Sequence, residues 1–114
     1  VKHFFRTAVA DCEVGGQAVK AGDSLMMCYP SANRDDAAFD DPMAFRIDRK
    51  PNRQLAFGYG PHVCLGQFLA KMEIRILFAE LLARIDDITL DGEPAWVKAN
   101  FVSGLKRLPI RYRG

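Results

Sequence analysis

Phe57-Gly58-Tyr59-Gly60-Pro61-His62-Val63-Cys64-Leu65-Gly66 is a glycine-rich loop that delivers a single cysteine to the start of the strongest helical pattern in the chain. Gly58 and Gly60 allow sharp backbone bends and close approach to a flat ligand, which a Cβ would obstruct. The backbone N–H groups and positive dipole end at a helix start favour the thiolate form of Cys64. Such a sulfur, flanked by apolar Phe57 and Leu65, is a soft donor suited to iron. Gly66 leaves space where the first helical turn passes under a large planar group. Read without that context, Cys64 is a small buried hydrophobe beside a glycine turn.

The helix that follows is expected over residues 65–85. Leu65, Leu69, Met72, Ile76, Leu77, Leu81, Leu82 and Ile85 recur at three- and four-residue steps, with Lys71, Arg75 and Arg84 interspersed. Upstream, short strands are expected within residues 4–30: 4–9, 12–14, 17–20 and 24–29, with a Gly15-Gly16 hairpin turn. Leu25 to Tyr29 reads as a buried strand. Ser31 can cap a single helical turn. Residues 31–66 then read as a meander and the cysteine loop, because prolines, glycines and aspartates dominate. Downstream, strands are expected at 88–90, 99–102 and 109–112, within terminal β segments spanning 88–112.

The chain of 114 residues is 49% hydrophobic, which argues against a disordered tail. A domain of this length buries roughly 60–70% of its unfolded surface, enough for one modest core but not for wrapping a large cofactor as well. Sixteen Lys and Arg against fourteen Asp and Glu leave a net charge of +2, too balanced to imply nucleic acid. No apolar run is long enough for a membrane span, so no membrane is expected. Cys12, Cys28 and Cys64 are odd in number and lack C-x-x-C spacing. A disulfide framework is therefore not expected, and a cytoplasmic location is. Cys12 and Cys28 read as packing residues.

Phe57, Gly60, Cys64 and Gly66 fill every fixed position of F-x-x-G-x-x-x-C-x-G, and the stretch resembles the haem-binding signature of cytochromes P450. Leu69, Ala70 and Glu73 extend the resemblance into the helix. The run Tyr29-Pro30-Ser31-Ala32-Asn33-Arg34-Asp35 is similar to that of soluble bacterial terpene- and sterol-oxidising members. The resemblance covers nearly the whole chain. It implies an α+β fragment, the C-terminal part of a mostly α fold, with small antiparallel sheets, a meander, the cysteine loop and one long helix. Glu13, Glu73, Glu80 and Glu93 each lack an Arg three residues later. The family's E-x-x-R helix and distal acid-alcohol pair are thus not found, and the chain is expected to match the last quarter to third of the family's length.

By the same resemblance, Cys64 is the axial ligand to the iron of haem b (iron protoporphyrin IX), and no other catalytic residue is expected. Arg6, Phe57, Gly58, Gly60, His62, Gly66 and Ala70 contact the cofactor. His62 would meet one haem propionate and Arg6 another, although a loop histidine and a solvated strand-edge arginine are the ordinary readings. Val1, Phe4, Phe101 and Val102 are expected on the substrate side, where plain core packing serves equally. Lys71, Arg75 and Arg53 would offer a basic proximal face to a ferredoxin or similar redox partner, with a solvated helix face as the alternative. The implied activity is insertion of one oxygen atom from O2 into a hydrophobic small molecule. A peroxygenase- or isomerase-like haem-thiolate protein is the alternative. Further off lies a redox or nucleophilic domain built on Cys64 with His62 as base.

Overall fold

The computed structural model describes residues 1–114. They divide into two compact units, residues 1–56 and 57–114.

In the first unit β1 (His3–Thr7) pairs antiparallel with β4 (Ser24–Cys28), placing Phe4 opposite Met27 and Arg6 opposite Leu25. Between them β2 (Cys12–Val14) and β3 (Gln17–Val19) form a hairpin. Its turn is Gly15-Gly16, with φ of 56° and 80°, both in the left-handed region that a two-residue hairpin needs. The expected buried strand at 24–29 is corrected: Leu25 and Met27 are half-buried, Met26 is exposed, and the strand stops at Cys28. A two-stranded sheet covers one face at most, so alternation replaces full burial.

Tyr29 begins α1 (Tyr29–Ala32), with Pro30 in the first turn, where its missing N–H costs nothing. Ser31 therefore lies inside this turn and does not cap it. Asn33 closes α1 by donating its N–H to the Tyr29 carbonyl (2.9 Å), while its Oδ1 accepts from the Leu55 N–H (2.7 Å). One side chain thus ties the two ends of a long connection together.

Arg49 organises the interior of that connection. Its guanidinium donates to the carbonyls of Asp40, Asp41 (2.9 Å) and Ala44 (3.1 Å), and lies 5.9 Å from the centroid of buried Phe39. Only the bond to Ala44 is part-buried, and a typical hydrogen bond contributes about 0.5–1.5 kcal/mol net, so the set together is what holds the segment. Arg49→Ala is expected to free the 40–49 segment. The Ala44 N–H, which donates to the Asp41 carbonyl, should exchange with solvent at least about tenfold faster, equivalent to ~1.4 kcal/mol; an unchanged rate would remove Arg49 from this role.

Asp11 holds the other turn of this unit. Its carboxylate accepts from Lys20 Nζ (2.7 Å) and the Ala21 N–H (2.9 Å). The Lys20 ammonium foremost, then the Ala21 N–H, hold the Asp11 carboxyl below its ordinary 3.8. Because the folded value is depressed, this clamp is complete above the ordinary carboxylate range and is lost as pH falls through the lower folded value. In Lys20→Met the Asp11 carboxyl carbon, followed by NMR, should titrate closer to 3.8 without reaching it, since the Ala21 contact persists.

In the second unit a short 3-10 turn (Gly60–His62) precedes α2 (Gln67–Leu82). Two further two-stranded sheets follow: β5 (Asp87–Leu90) with β8 (Ile110–Arg113), and β6 (Ala95–Trp96) with β7 (Leu105–Arg107). The helix is shorter than the expected 65–85. Gly66 is its N-cap and Leu65 is fully exposed before it, while Ala83 ends it and the Asp86 N–H turns away to the Arg113 carbonyl. Residues 99–102 are not a strand but lie in the loop joining β6 to β7, the ladder having formed between segments flanking Pro94 and Gly104 instead.

α2 carries apolar residues on all sides, including Phe68, Leu69, Met72, Ile74, Ile76, Leu77 and Phe78, and none is buried. By composition it is a core helix. Its packing partners are not supplied by the elements of its own unit. No helix is long and apolar enough to cross a membrane.

Candidate functional site

Residues 57–66 form a loop closed by its own backbone hydrogen bonds. Gly58 and Gly60 take φ of 74° and 70°, a region costing about 1–2 kcal/mol for residues with a Cβ. These bends let the chain double back, so that the Cys64 N–H donates to the Phe57 carbonyl (2.8 Å) and the Val63 N–H to the Gly60 carbonyl (3.0 Å). The Cys64 carbonyl then accepts from the Gln67 N–H (3.2 Å), and the Gly66 carbonyl from the Ala70 N–H (2.9 Å). Cys64 is thereby pinned on both sides of its Cα, three residues before α2 begins. Its side chain is exposed, contrary to the buried-hydrophobe alternative.

The surroundings fit a large planar ligand at the sulfur. Gly66 has ordinary helical-side dihedrals, φ −83° and ψ 5°, so no backbone strain requires glycine there. A Cβ added to it would instead lie 4.0 Å from Cys64 Sγ, filling space beside the sulfur. Phe57 is half-buried, with Lys71 Nζ 5.3 Å from its ring centroid. The same ammonium donates to Gln67 Oε1 at 3.4 Å. A cation over an exposed aromatic face is worth about 0.5–1 kcal/mol.

Phe57, Gly58, Gly60, His62, Cys64, Gly66 and Ala70 therefore fall in one continuous stretch, from the loop into the first turn of α2. His62 ends the 3-10 turn and is exposed. Arg6, Val1 and Phe4 belong to the first unit, Phe101 and Val102 to the second. Arg6 is half-buried on β1, and its Nη1 donates to the Phe5 carbonyl (2.8 Å). Phe4 meets buried Tyr29 edge-on at 6.1 Å. Val1, Phe4, Phe101 and Val102 are all exposed, so none is part of a closed core within these residues. Cys12 and Cys28 are exposed as well, which corrects their reading as packing residues.

The sequence places Lys71 only on a basic helix face, and its seat over Phe57 comes from the fold. The two lie fourteen positions apart, and no periodicity links them. The Gln67/Lys71 pair, four apart on one helix, did carry a usable spacing.

Comparison with known proteins agrees with this geometry. The model of the family described as Cytochrome P450 matches residues 1–109. Cytochrome P450-terp of Pseudomonas sp is 54% identical over 112 residues, covering 98% of this chain and 26% of that protein. A steroid C26-monooxygenase of Mycolicibacterium smegmatis is 44% identical over 112 residues, covering 96% of this chain and 28% of its own length. The crystal structure of CYP108D1 from Novosphingobium aromaticivorans superposes with a TM-score of 0.94 at 50% identity, over 99% of this chain and 28% of that one. The chain thus spans little more than a quarter of the length of the relatives it matches. A signature loop with the required bends and an exposed cysteine sulfur, together with a match over nearly all residues, leads to one conclusion: this chain belongs to the cytochrome P450 family.

Proposed function

We propose that the full-length protein is a haem-thiolate monooxygenase, with Cys64 as the axial ligand of haem b. The observation carrying this reading is exposed Cys64, its Sγ beside Gly66, on a loop bent by Gly58 and Gly60. Haem, when bound, supplies the activation of dioxygen, and a thiolate ligand strengthens that chemistry by donating electron density.

The chain's own residues then have separable tasks. Cys64 presents sulfur at a fixed position because its N–H and carbonyl are both engaged. Gly66 keeps the space beside Sγ open. Phe57 screens the loop. His62, exposed at the end of the 3-10 turn, supplies a ring N–H for a propionate, and Arg6 supplies a guanidinium for the same chemistry from its own unit. Val1, Phe4, Phe101 and Val102 provide apolar surface for substrate.

The substrate proposed is a hydrophobic small molecule, supported by the exposed apolar side chains just named and by the relative named steroid C26-monooxygenase. Lys71 and Arg75, on one exposed face of α2, suit an acidic electron donor such as a ferredoxin. A cytoplasmic setting is proposed with it.

Turnover under labelled dioxygen tests the reaction class. One labelled oxygen atom per product, dependent on reduced donor, is the expected result. Product formed only with peroxide would indicate the peroxygenase-like alternative, and rearranged product without added oxygen the isomerase-like one; either would overturn the proposal.

A further inference from the structure

Four residues around the cysteine loop close a circuit. Lys71 Nζ lies over the Phe57 ring (5.3 Å), the Phe57 carbonyl accepts from the Cys64 N–H (2.8 Å), the Cys64 carbonyl accepts from the Gln67 N–H (3.2 Å), and Gln67 Oε1 accepts from Lys71 Nζ (3.4 Å). Two of these contacts, Lys71 with Phe57 and Gln67 with Cys64, join the ligand loop to the start of α2. We propose that Lys71 is a positioning residue for Cys64, holding the ligand loop through Phe57 and Gln67 and biasing the bound iron toward its reduced state.

The physical argument has two parts. A ring with a cation on its face is restrained in orientation, since the attraction depends on the ring quadrupole being presented to the charge. Phe57 is also the residue whose carbonyl fixes the Cys64 N–H, so restraint of the ring reaches the sulfur through one residue's backbone. Electrostatically, reduction adds a negative charge near the sulfur, and a nearby ammonium stabilises that state more than the oxidised one. Arg75 lies one further turn along the same face and makes neither contact with the circuit's members. It is therefore a control for bare surface charge. The circuit also couples the helix face to the ligand: an anionic group that draws the ammonium off the ring releases both Phe57 and Gln67.

This inference rests on the proposed haem-thiolate reading and is tested in the haem-loaded full-length protein by spectroelectrochemical titration. Lys71→Met, which keeps the stem without the charge, should lower the reduced-to-oxidised ratio at fixed potential by about two- to five-fold, the differential effect of removing one partly screened charge from near the sulfur. At 59 mV per tenfold for one electron, this is a shift of about 20–40 mV to lower potential. Lys71→Arg should restore most of it, and Arg75→Met should give less than half. In a Phe57→Leu background, Lys71→Met should add less than half of that shift, since only the direct effect of the charge is left.

An unchanged potential in Lys71→Met, an equal shift from Arg75→Met, or a full shift persisting with Phe57→Leu would each overturn the inference. If Phe57→Leu cannot hold haem, the comparison with Arg75→Met decides alone. The carbon monoxide spectrum of the unsubstituted protein separates the two levels. A thiolate-type band without Lys71 coupling sinks only this inference, whereas absence of the band sinks the haem-thiolate reading beneath it.

Discussion

Cys64→Ser lowers turnover of the full-length protein by at least about a thousandfold while leaving the thermal midpoint of its haem-free form nearly unchanged. The size of the loss is that expected when a group acting at the reacting centre is deleted. Serine preserves side-chain volume and the backbone contacts of Cys64 with Phe57 and Gln67, so the loop itself should survive. Its oxygen, however, is a hard donor in place of a soft sulfur, and electron donation to iron is lost. Because Cys64 shares no disulfide and the haem-free form has no iron bond to lose, the stability change there should stay within about 0.5 kcal/mol. Steady-state kinetics of the haem-loaded protein and thermal unfolding of the haem-free one check the two halves. A variant retaining a tenth of wild-type turnover would remove Cys64 from the chemistry.

Gly66→Val is the second large effect, and its origin differs from the usual glycine argument. The dihedrals at Gly66 suit any L-residue, whereas Gly60, at φ 70°, meets no atom within 4 Å of an added Cβ and would be strained by backbone alone. At Gly66 the added Cβ lies 4.0 Å from Cys64 Sγ, and the γ-methyls of valine extend farther into the space beside the sulfur. Haem occupancy should fall by at least about tenfold, or ~1.4 kcal/mol, with secondary structure retained. Gly104→Ala, at a position with open space and no positive φ, should load normally. Absorbance per polypeptide after purification with excess haem gives the ratio, and equal loading of Gly66→Val and wild type would refute the cradle.

The contrast between these two glycines also marks what the sequence could and could not convey. Resemblance to the family signature picked out Phe57, Gly60, Cys64 and Gly66, and apolar periodicity placed a helix immediately after them. It correctly required bends at Gly58 and Gly60, which have positive φ. It overextended α2 at both ends: Leu65 lies before the Gly66 N-cap, and beyond Ala83 the apolar Ile85 is only tied back by its N–H to the Leu81 carbonyl (3.0 Å). The run at 99–102 looked strand-like from its side chains, yet strand formation depends on a partner in register, and the partners chosen were Ala95–Trp96 and Leu105–Arg107.

Burial was the least legible property. Leu25, Met27 and the apolar stripe of α2 have core chemistry, but Tyr29 and Phe39 are the buried hydrophobic residues. Periodicity reports which face of an element avoids water, not what covers it. Long-range polar ties were equally silent: nothing in the spacing of Arg49 from Asp40, or of Lys71 from Phe57, announces their contacts. Such links depend on side-chain reach across a folded loop.

The central claim is that Cys64 sulfur ligates haem iron. Its most direct test is the absorption spectrum of the reduced, carbon monoxide-bound full-length protein, before and after Cys64→His. A thiolate ligand gives a strongly red-shifted Soret band in the unsubstituted protein, and replacement by imidazole abolishes it. A thiolate-type band that persists in Cys64→His, or that is absent from the unsubstituted haem-loaded protein, would contradict the assignment.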